Sequence, residues 1–388
     1  MPQSNVGICQ SIPCLPRRQR GEARDFSCRS TEREWQGKRP FRHWLLLATF
    51  SLLLHTPSSA QTITFLPYLG SPAGLFFAGG SADFGNVDAL GIGTPSSGLT
   101  RTSISGGQLY QTPYVINVVG TPSTRTTVVR AYVSANGNPT VLQAVSSYPG
   151  TNPCPTTGYT TLPSSPEADV IPITGVTDGS YNACVGLIVN VANGASAVAG
   201  SYSVTITFDV YNYQASNGKL RLGSTTNLTL SVKILTAARL LLGSSGAFAI
   251  TATGGTPDFT ANFGNVNALG IGPGPGLSTL PSAGGMIYWT PYLITPSFSG
   301  FASPSGTVQV YVSSNFIHST VLSLDDAASG TGPFNAIGNS GLPTTITSSA
   351  ATGVNITRYL GLFVSNTNGA GSYRGNDSAT LTYTLTVP

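Results

Sequence analysis

Apolar and polar residues alternate with a period of two in several stretches of this chain. In Val204–Val210, Val204, Ile206, Phe208 and Val210 alternate with Thr205, Thr207 and Asp209. In Asn227–Leu235, Leu228, Leu230, Val232 and Ile234 fall on one side, with Thr229, Ser231 and Lys233 on the other. In Ala379–Val387, Leu381, Tyr383, Leu385 and Val387 alternate with threonines. A period of two places each set on one face, so these stretches predict half-buried strands. Helical signals are nearly absent: Gly or Pro interrupts almost every window of twelve residues, and Glu167 is the one glutamate after residue 60. An apolar sheet face needs a second sheet to cover it, which predicts β-sandwiches.

A long internal repeat sets the organisation. Asp83–Gly93 and Asn262–Gly272 agree at nine of eleven positions, and both differences are Asp/Asn exchanges. The match resumes between Gly106–Tyr114 and Gly284–Tyr292, then between Val128–Ser134 and Val308–Ser314, Thr140–Leu142 and Thr320–Leu322, and Gly186–Val189 and Gly361–Val364. The offset is domain-sized. The chain is therefore expected to be all-β, with two tandem β-sandwich domains, immunoglobulin-like or pilin-like, that arose by internal duplication. Their expected spans are 61–240 and 241–388, with Gly243–Gly246 as a linker. The first copy is longer near its end, which suggests an inserted hairpin near 203–222. The Phe-Gly-Asn-Val motif is expected to end a strand, with Phe and Val inward and a left-handed or bulged backbone at Gly-Asn.

Residues 38–60 have the layout of a secretory signal peptide. A basic stretch (Lys38, Arg39, Arg42) precedes the apolar run Leu45–Leu54, and Ser58 and Ala60 stand at the −3 and −1 positions. Cleavage is expected between Ala60 and Gln61. The apolar run is short of the roughly 20 residues that span a bilayer, so no transmembrane span is expected after processing. Residues 1–37 are polar, hold Cys9, Cys14 and Cys28, and read as a non-structural or mis-assigned start. An exported product and a secreted or cell-surface location in a bacterial envelope follow from this signal.

Charge removes further classes. Beyond residue 60 the chain has nine basic and ten acidic side chains, so no basic excess is left to neutralise phosphates and no nucleic-acid partner is expected. Cys154 and Cys184, the two cysteines of that region, are expected to form one disulfide.

No catalytic constellation is evident, so the chain is not expected to be an enzyme. His318 is the one histidine after residue 60, with Asp325 and Asp326 nearby but no nucleophile elbow. Glu167 with Asp169, and Asp325 with Asp326, are the carboxylate pairs a glycosidase would need. Asp325–Asp326 is also the one acidic cluster that suggests a weak calcium site. No cofactor, metal or phosphate site is expected. Tyr110, Tyr114, Tyr288, Trp289 and Tyr292 surround the repeated Thr-Pro-Tyr and are candidate ligand-contact aromatics, given how well Tyr and Trp serve sugar or protein contacts.

The closing segments Gly200-Ser-Tyr-Ser-Val-Thr-Ile-Thr-Phe208 and Gly371–Tyr383 resemble the endings of spore-coat-U and chaperone–usher pilus subunits. That resemblance implies a pilin-like surface module that assembles by strand addition, a form of β-augmentation. The expected donor, Gln61–Phe65, alternates but stops at Pro67. A two-domain layout would suit a tip adhesin. The expected function is a non-enzymatic surface protein, structural or adhesive, with a surface glycan or a protein as partner. The alternative is a secreted carbohydrate-binding module or glycan-active enzyme.

Overall fold

In a computed structural model, residues 61–388 are described apart from 71–72, 78, 122–125, 149–153, 166, 172–176, 215–218, 256–257 and 367–374. The signal-like segment and the three N-terminal cysteines lie outside the described residues.

The described chain is all-β. The first eleven strands are β1 (Thr62–Pro67), β2 (Ser81–Val87), β3 (Thr100–Ile104), β4 (Gly107–Val119), β5 (Thr126–Asn136), β6 (Leu142–Ser147), β7 (Thr160–Thr161), β8 (Ala168–Ile171), β9 (Gly179–Asn190), β10 (Gly200–Gln214) and β11 (Lys219–Ile234). They form two sheets. The front sheet runs β1-β4-β9-β6-β7, with β3 also on β4, and the back sheet runs β2-β11-β10-β5-β8. The second set is β12 (Ala237–Ser244), β13 (Ile250–Ala252), β14 (Phe259–Ala261), β15 (Ser278–Ser282), β16 (Gly285–Ser299), β17 (Ser305–Ser314), β18 (Leu322–Ala327), β19 (Asn335–Ala336), β20 (Thr344–Ala351), β21 (Ile356–Ser365) and β22 (Thr380–Thr386). Its front sheet runs β12-β16-β21-β18-β19, with β15 also on β16. Its back sheet is β20-β17-β22, and β13 and β14 form a separate hairpin.

The two front sheets have the same strand order. Their registers also correspond: Tyr110 faces Leu187 across β4 and β9, and Tyr288 faces Leu362 across β16 and β21. Among the described residues no sheet crosses Leu235–Thr236. Gly243 and Ser244 close strand β12 and do not form the linker expected of them, because backbone pairing with Leu293 and Tyr292 keeps them extended.

The joint between the halves is made by two loops. Ala192 and Asn193 meet Phe298–Phe301 through Gly300 N–H to Ala192 O (3.0 Å), Gly194 N–H to Phe301 O (2.9 Å) and Ala199 N–H to Gly300 O (2.8 Å). The Asn193 amide donates to Phe298 O (2.9 Å) and accepts from Phe301 N–H (3.3 Å). Gly300 has φ +82° and lies against Leu235 O, a left-handed site that a side chain would strain. These bonds occupy loop backbone groups that would otherwise need water.

The repeated Asp/Asn-Phe-Gly-Asn-Val-Asp/Asn motif is a folding device. Gly85 and Gly264 take φ +61° and +66°, and their N–H groups donate to Asp83 and Asn262 side chains (2.9 and 2.8 Å). Asp88 then accepts from the N–H groups of Leu90, Ile92 and Gly93 at 2.9–3.0 Å. Asn267 accepts from Leu269 and Ile271 in the same way and returns a bond to Ile271 O. Each loop is clamped by a tyrosine: the Tyr110 hydroxyl binds Asp88 N and O, and the Tyr288 hydroxyl binds Asn267 N and O. The glycines that follow therefore wrap a side chain of the chain itself.

Candidate strand-accepting site

The halves differ at one edge. In the first half β10 is an inner strand, bonded to β5 on one side and to β11 on the other. Strand β11 pairs antiparallel with β10 and parallel with β2. Its inward residues Leu228, Leu230, Val232 and Ile234 are buried, with Leu228 and Leu230 opposite Ile206 and Val204, and the inward Val204, Ile206, Phe208 and Val210 of β10 are buried too. In the second half the sequence match sets Ala379, just before β22, and Leu381, Tyr383 and Leu385 of β22 against those β10 residues. Strand β22 pairs only with β17, and among the described residues no strand lies on its other side. The longer end of the first copy is thus a closing strand rather than an insertion.

The missing neighbour shows in the burial. Phe208 and Ile206 are 0% exposed. Their matched residues Tyr383 and Leu381 are half-buried, as are Ala379 and Leu385. The same holds across the gap, where Phe84 and Val87 of β2 are buried but the matched Phe263 and Val266 are half-buried. An edge strand with an incompletely covered apolar face offers both backbone groups and side-chain surface to an incoming strand.

The second half also has a polar relay through its core. On β18, Asp326 pairs with Arg358 of β21 and accepts from the Tyr292 hydroxyl of β16 (3.3 Å). The Tyr383 hydroxyl of β22 donates to that of Tyr292 (3.0 Å). This links the open edge to the opposite sheet. Burial raises the Asp326 carboxyl above its ordinary value, and Arg358 offsets only part of that. Burial likewise raises Asp325, whose side chain is bonded by the Ser323 hydroxyl, to about 6.

The structure places the other sequence-derived candidates as follows. Tyr110, Tyr114, Tyr288 and Tyr292 are at most 1% exposed. They are core residues, not surface contacts, because β4 and β16 are inner strands covered on the sandwich side. Trp289 projects from the other face, half-buried against Tyr359 and Phe334 at 5.5 and 6.3 Å between rings. Cys154 and Cys184 are disulfide-bonded. Gln61 is buried, and the Thr62–Pro67 segment is bonded to β4 as an edge of its own front sheet. The stretch expected to serve as a donor strand is therefore already in use.

His318 does not meet Asp325 or Asp326. Its Nδ1 lies 3.0 Å from Asp377 Oδ2, and Asp377 also accepts the N–H groups of Ile317 (3.0 Å), His318 (2.9 Å) and Ser378 (2.8 Å). Desolvation raises this carboxyl, but those bonds outweigh it and hold it at about 2. Glu167 accepts from Tyr211, and Asp169 pairs with Arg130. Among the described residues no group of three His, Cys, Asp or Glu is placed to hold a metal ion. No helix among them is long and apolar enough to cross a membrane.

The site and fold define a class: two joined β-sandwiches, one with a closing strand and one without. No family model matches the sequence, and no curated protein matches it. Solved structures with likeness to the chain include the chaperone–tip adhesion subunit pre-assembly complex of archaic chaperone-usher Csu pili of Acinetobacter baumannii. There the identity is 12%, the TM-score is 0.30, and 79% of this chain and 97% of that one are covered. The CupB6 tip adhesin of Pseudomonas aeruginosa is 9% identical with a TM-score of 0.29, covering 83% of this chain and 93% of that one. A chaperone–tip adhesin complex of CFA/I fimbriae is 12% identical with a TM-score of 0.24, covering 80% and 96%.

Proposed function

We propose that this chain is an exported, non-catalytic surface protein that occupies the end of a strand-linked assembly. On this reading the second half accepts a strand from a neighbouring subunit, and the first half is presented outward as the adhesive or structural face. The observation that carries the reading is the bare edge of β22, set against the filled edge of the sequence-matched β10. The position at an end follows from supply. β1 and β11 are both bonded within the first half, so the described residues hold an acceptor without a spare donor. The signal-like segment at 38–60 supports export, and the low charge and scattered carboxylates support a binding role over catalysis.

The test uses a synthetic peptide with the sequence of residues 225–236, the strand that closes the first half. Native mass spectrometry of the purified chain is expected to show one peptide per chain. Retention should be lost when the peptide positions copied from Leu228, Leu230 and Val232 are serine. A chain that retains neither peptide, or both equally, would refute the reading.

A further inference from the structure

The outer face of the second front sheet carries chemistry that strand acceptance does not use. Trp289, Gly361 and Asp325 stand side by side across β16, β21 and β18 in direct register. We infer that this face binds a small organic cation through a quaternary ammonium group, with Trp289, Phe334 and Tyr359 supplying aromatic surface and Asp325 the counter-charge.

The matched face of the first half gives the contrast. There Gln111, Gly186 and Val145 occupy the same three register positions. All are uncharged, and Val145 is fully buried in a cluster with Leu109 and Ile188. The second half has Asp325 where the first has Val145, Trp289 where it has Gln111, and Tyr359 where it has Cys184. Packing alone favours the valine. Asp325 is 7% exposed, and among the described residues the Ser323 hydroxyl at 3.3 Å is the one donor to its carboxylate. An ionised carboxylate accepts several bonds and is costly to bury unpaired. Asp326 and Arg358 pair with each other on the core side, so neither neutralises it. Arg239 lies opposite Ser297, toward the other end of β16 from Trp289.

The aromatic side is accessible. Trp289, Phe334 and Tyr359 are all half-buried. Trp289 meets Tyr359 edge-on and Phe334 at a tilt, with interplanar angles of 68° and 37°, so the ring faces are not used up in mutual stacking. Phe334 reaches the face because Gly361 has no side chain: a Cβ there would lie 2.8 Å from the ring. Phe334 thus sits over the strand between Trp289 and Asp325. Ring quadrupoles attract a cation within about 6 Å of their centroids. Three rings and one carboxylate suit a nitrogen with no N–H to satisfy better than a lysine-type ammonium with its three donors.

Charge on this face depends on pH. Burial holds Asp325 at about 6. Its register neighbours Gly361 and Ala336 do not titrate, Tyr359 is the other titratable side chain of this outer face among the described residues, and Asp326 and Arg358 turn to the core.

Equilibrium dialysis of the full chain against labelled choline tests the site. One saturable site per chain is expected rather than two, since the first half has neither the tryptophan nor the carboxylate. The neutral isostere of choline, with tert-butyl in place of trimethylammonium, should bind at least about tenfold more weakly. Asp325→Asn, which keeps the shape of the side chain, and Trp289→Leu should each weaken choline binding at least about tenfold. From about pH 7 to about pH 5 the native site should weaken about tenfold, as Asp325 takes up its proton, and the Asp325→Asn chain should show no such change. Co-sedimentation with phosphatidylcholine but not phosphatidylglycerol vesicles would assign the group to a lipid headgroup, and choline binding without it to a free solute. No saturable choline site, equal binding of the neutral isostere, or indifference to Asp325→Asn would overturn the inference.

Discussion

The unequal closure of the two halves predicts unequal costs for the same truncation. Ile206 and Leu381 occupy matched positions on β10 and β22, but Ile206 is 0% exposed and Leu381 is half-buried. Ile206→Ala leaves a cavity between packed sheets and is expected to cost about 3–4 kcal/mol, within the range for fully buried aliphatic truncations. Leu381→Ala removes a side chain already half in water, so its cost should be about 1–2 kcal/mol. Adding a closing strand should bury Leu381 and raise that cost to about 3 kcal/mol, while Ile206→Ala should be unaffected. The strand can be supplied by appending a copy of residues 214–236 directly after Pro388, which reproduces the β10–β11 connection. Urea unfolding of residues 57–388 reads the effect. Trp289 is the one tryptophan of that span and lies in the second half, so its fluorescence follows that half. Far-UV dichroism follows both. Equal costs at the two positions, or a Leu381→Ala cost that ignores the added strand, would refute the claim that β22 lacks a neighbour.

Two further outcomes follow. Reducing Cys154–Cys184, which closes a loop of 30 residues, should cost the first half about 3–4 kcal/mol by chain entropy and leave the Trp289 transition in place. Asp325 sits at about 6 in the folded chain, above its unfolded value, so the folded state binds more protons there and the second half should lose stability as pH rises from about 4 to 6. The loss is on the order of 3 kcal/mol, and Asp325→Asn should flatten most of the slope in Trp289-monitored midpoints at pH 4.5 and 6.5. Asp326, shifted the same way, keeps a remainder.

Strand identity was legible in the sequence because it is local. The alternation in Val204–Val210, Asn227–Leu235 and Ala379–Val387 marks β10, β11 and β22, and the Phe and Val of the repeated motif do face inward in β2. The open edge was not legible, because β10 and β22 have the same alternation and differ only in whether a distant segment lies beside them. The length difference between the copies was the available signal, and it reads as a closing strand once Leu228–Ile234 is seen to pair antiparallel with Gly200–Ile206. The tyrosines were misleading for a related reason. An aromatic beside a Thr-Pro turn suits a ligand contact, but Tyr110 and Tyr288 use their hydroxyls on the backbone of Asp88 and Asn267. The Asp/Asn exchange at those positions, inside an otherwise constant motif, was the trace of that clamp. The Asp326–Arg358 pair left no sequence signal, since the two residues are 32 apart and meet only through the β18–β21 pairing.

Thermal unfolding of the chain extended by residues 214–236 is the most direct test. With the closing strand covalently present, the Trp289 transition should rise by at least about 5 °C, which corresponds to a gain of about 2 kcal/mol or more in a domain of this size. The same extension with serine at the positions copied from Leu228, Leu230, Val232 and Ile234 should leave it unmoved. A transition that ignores the apolar extension, or responds equally to the serine one, would show that β22 does not border a vacant strand position.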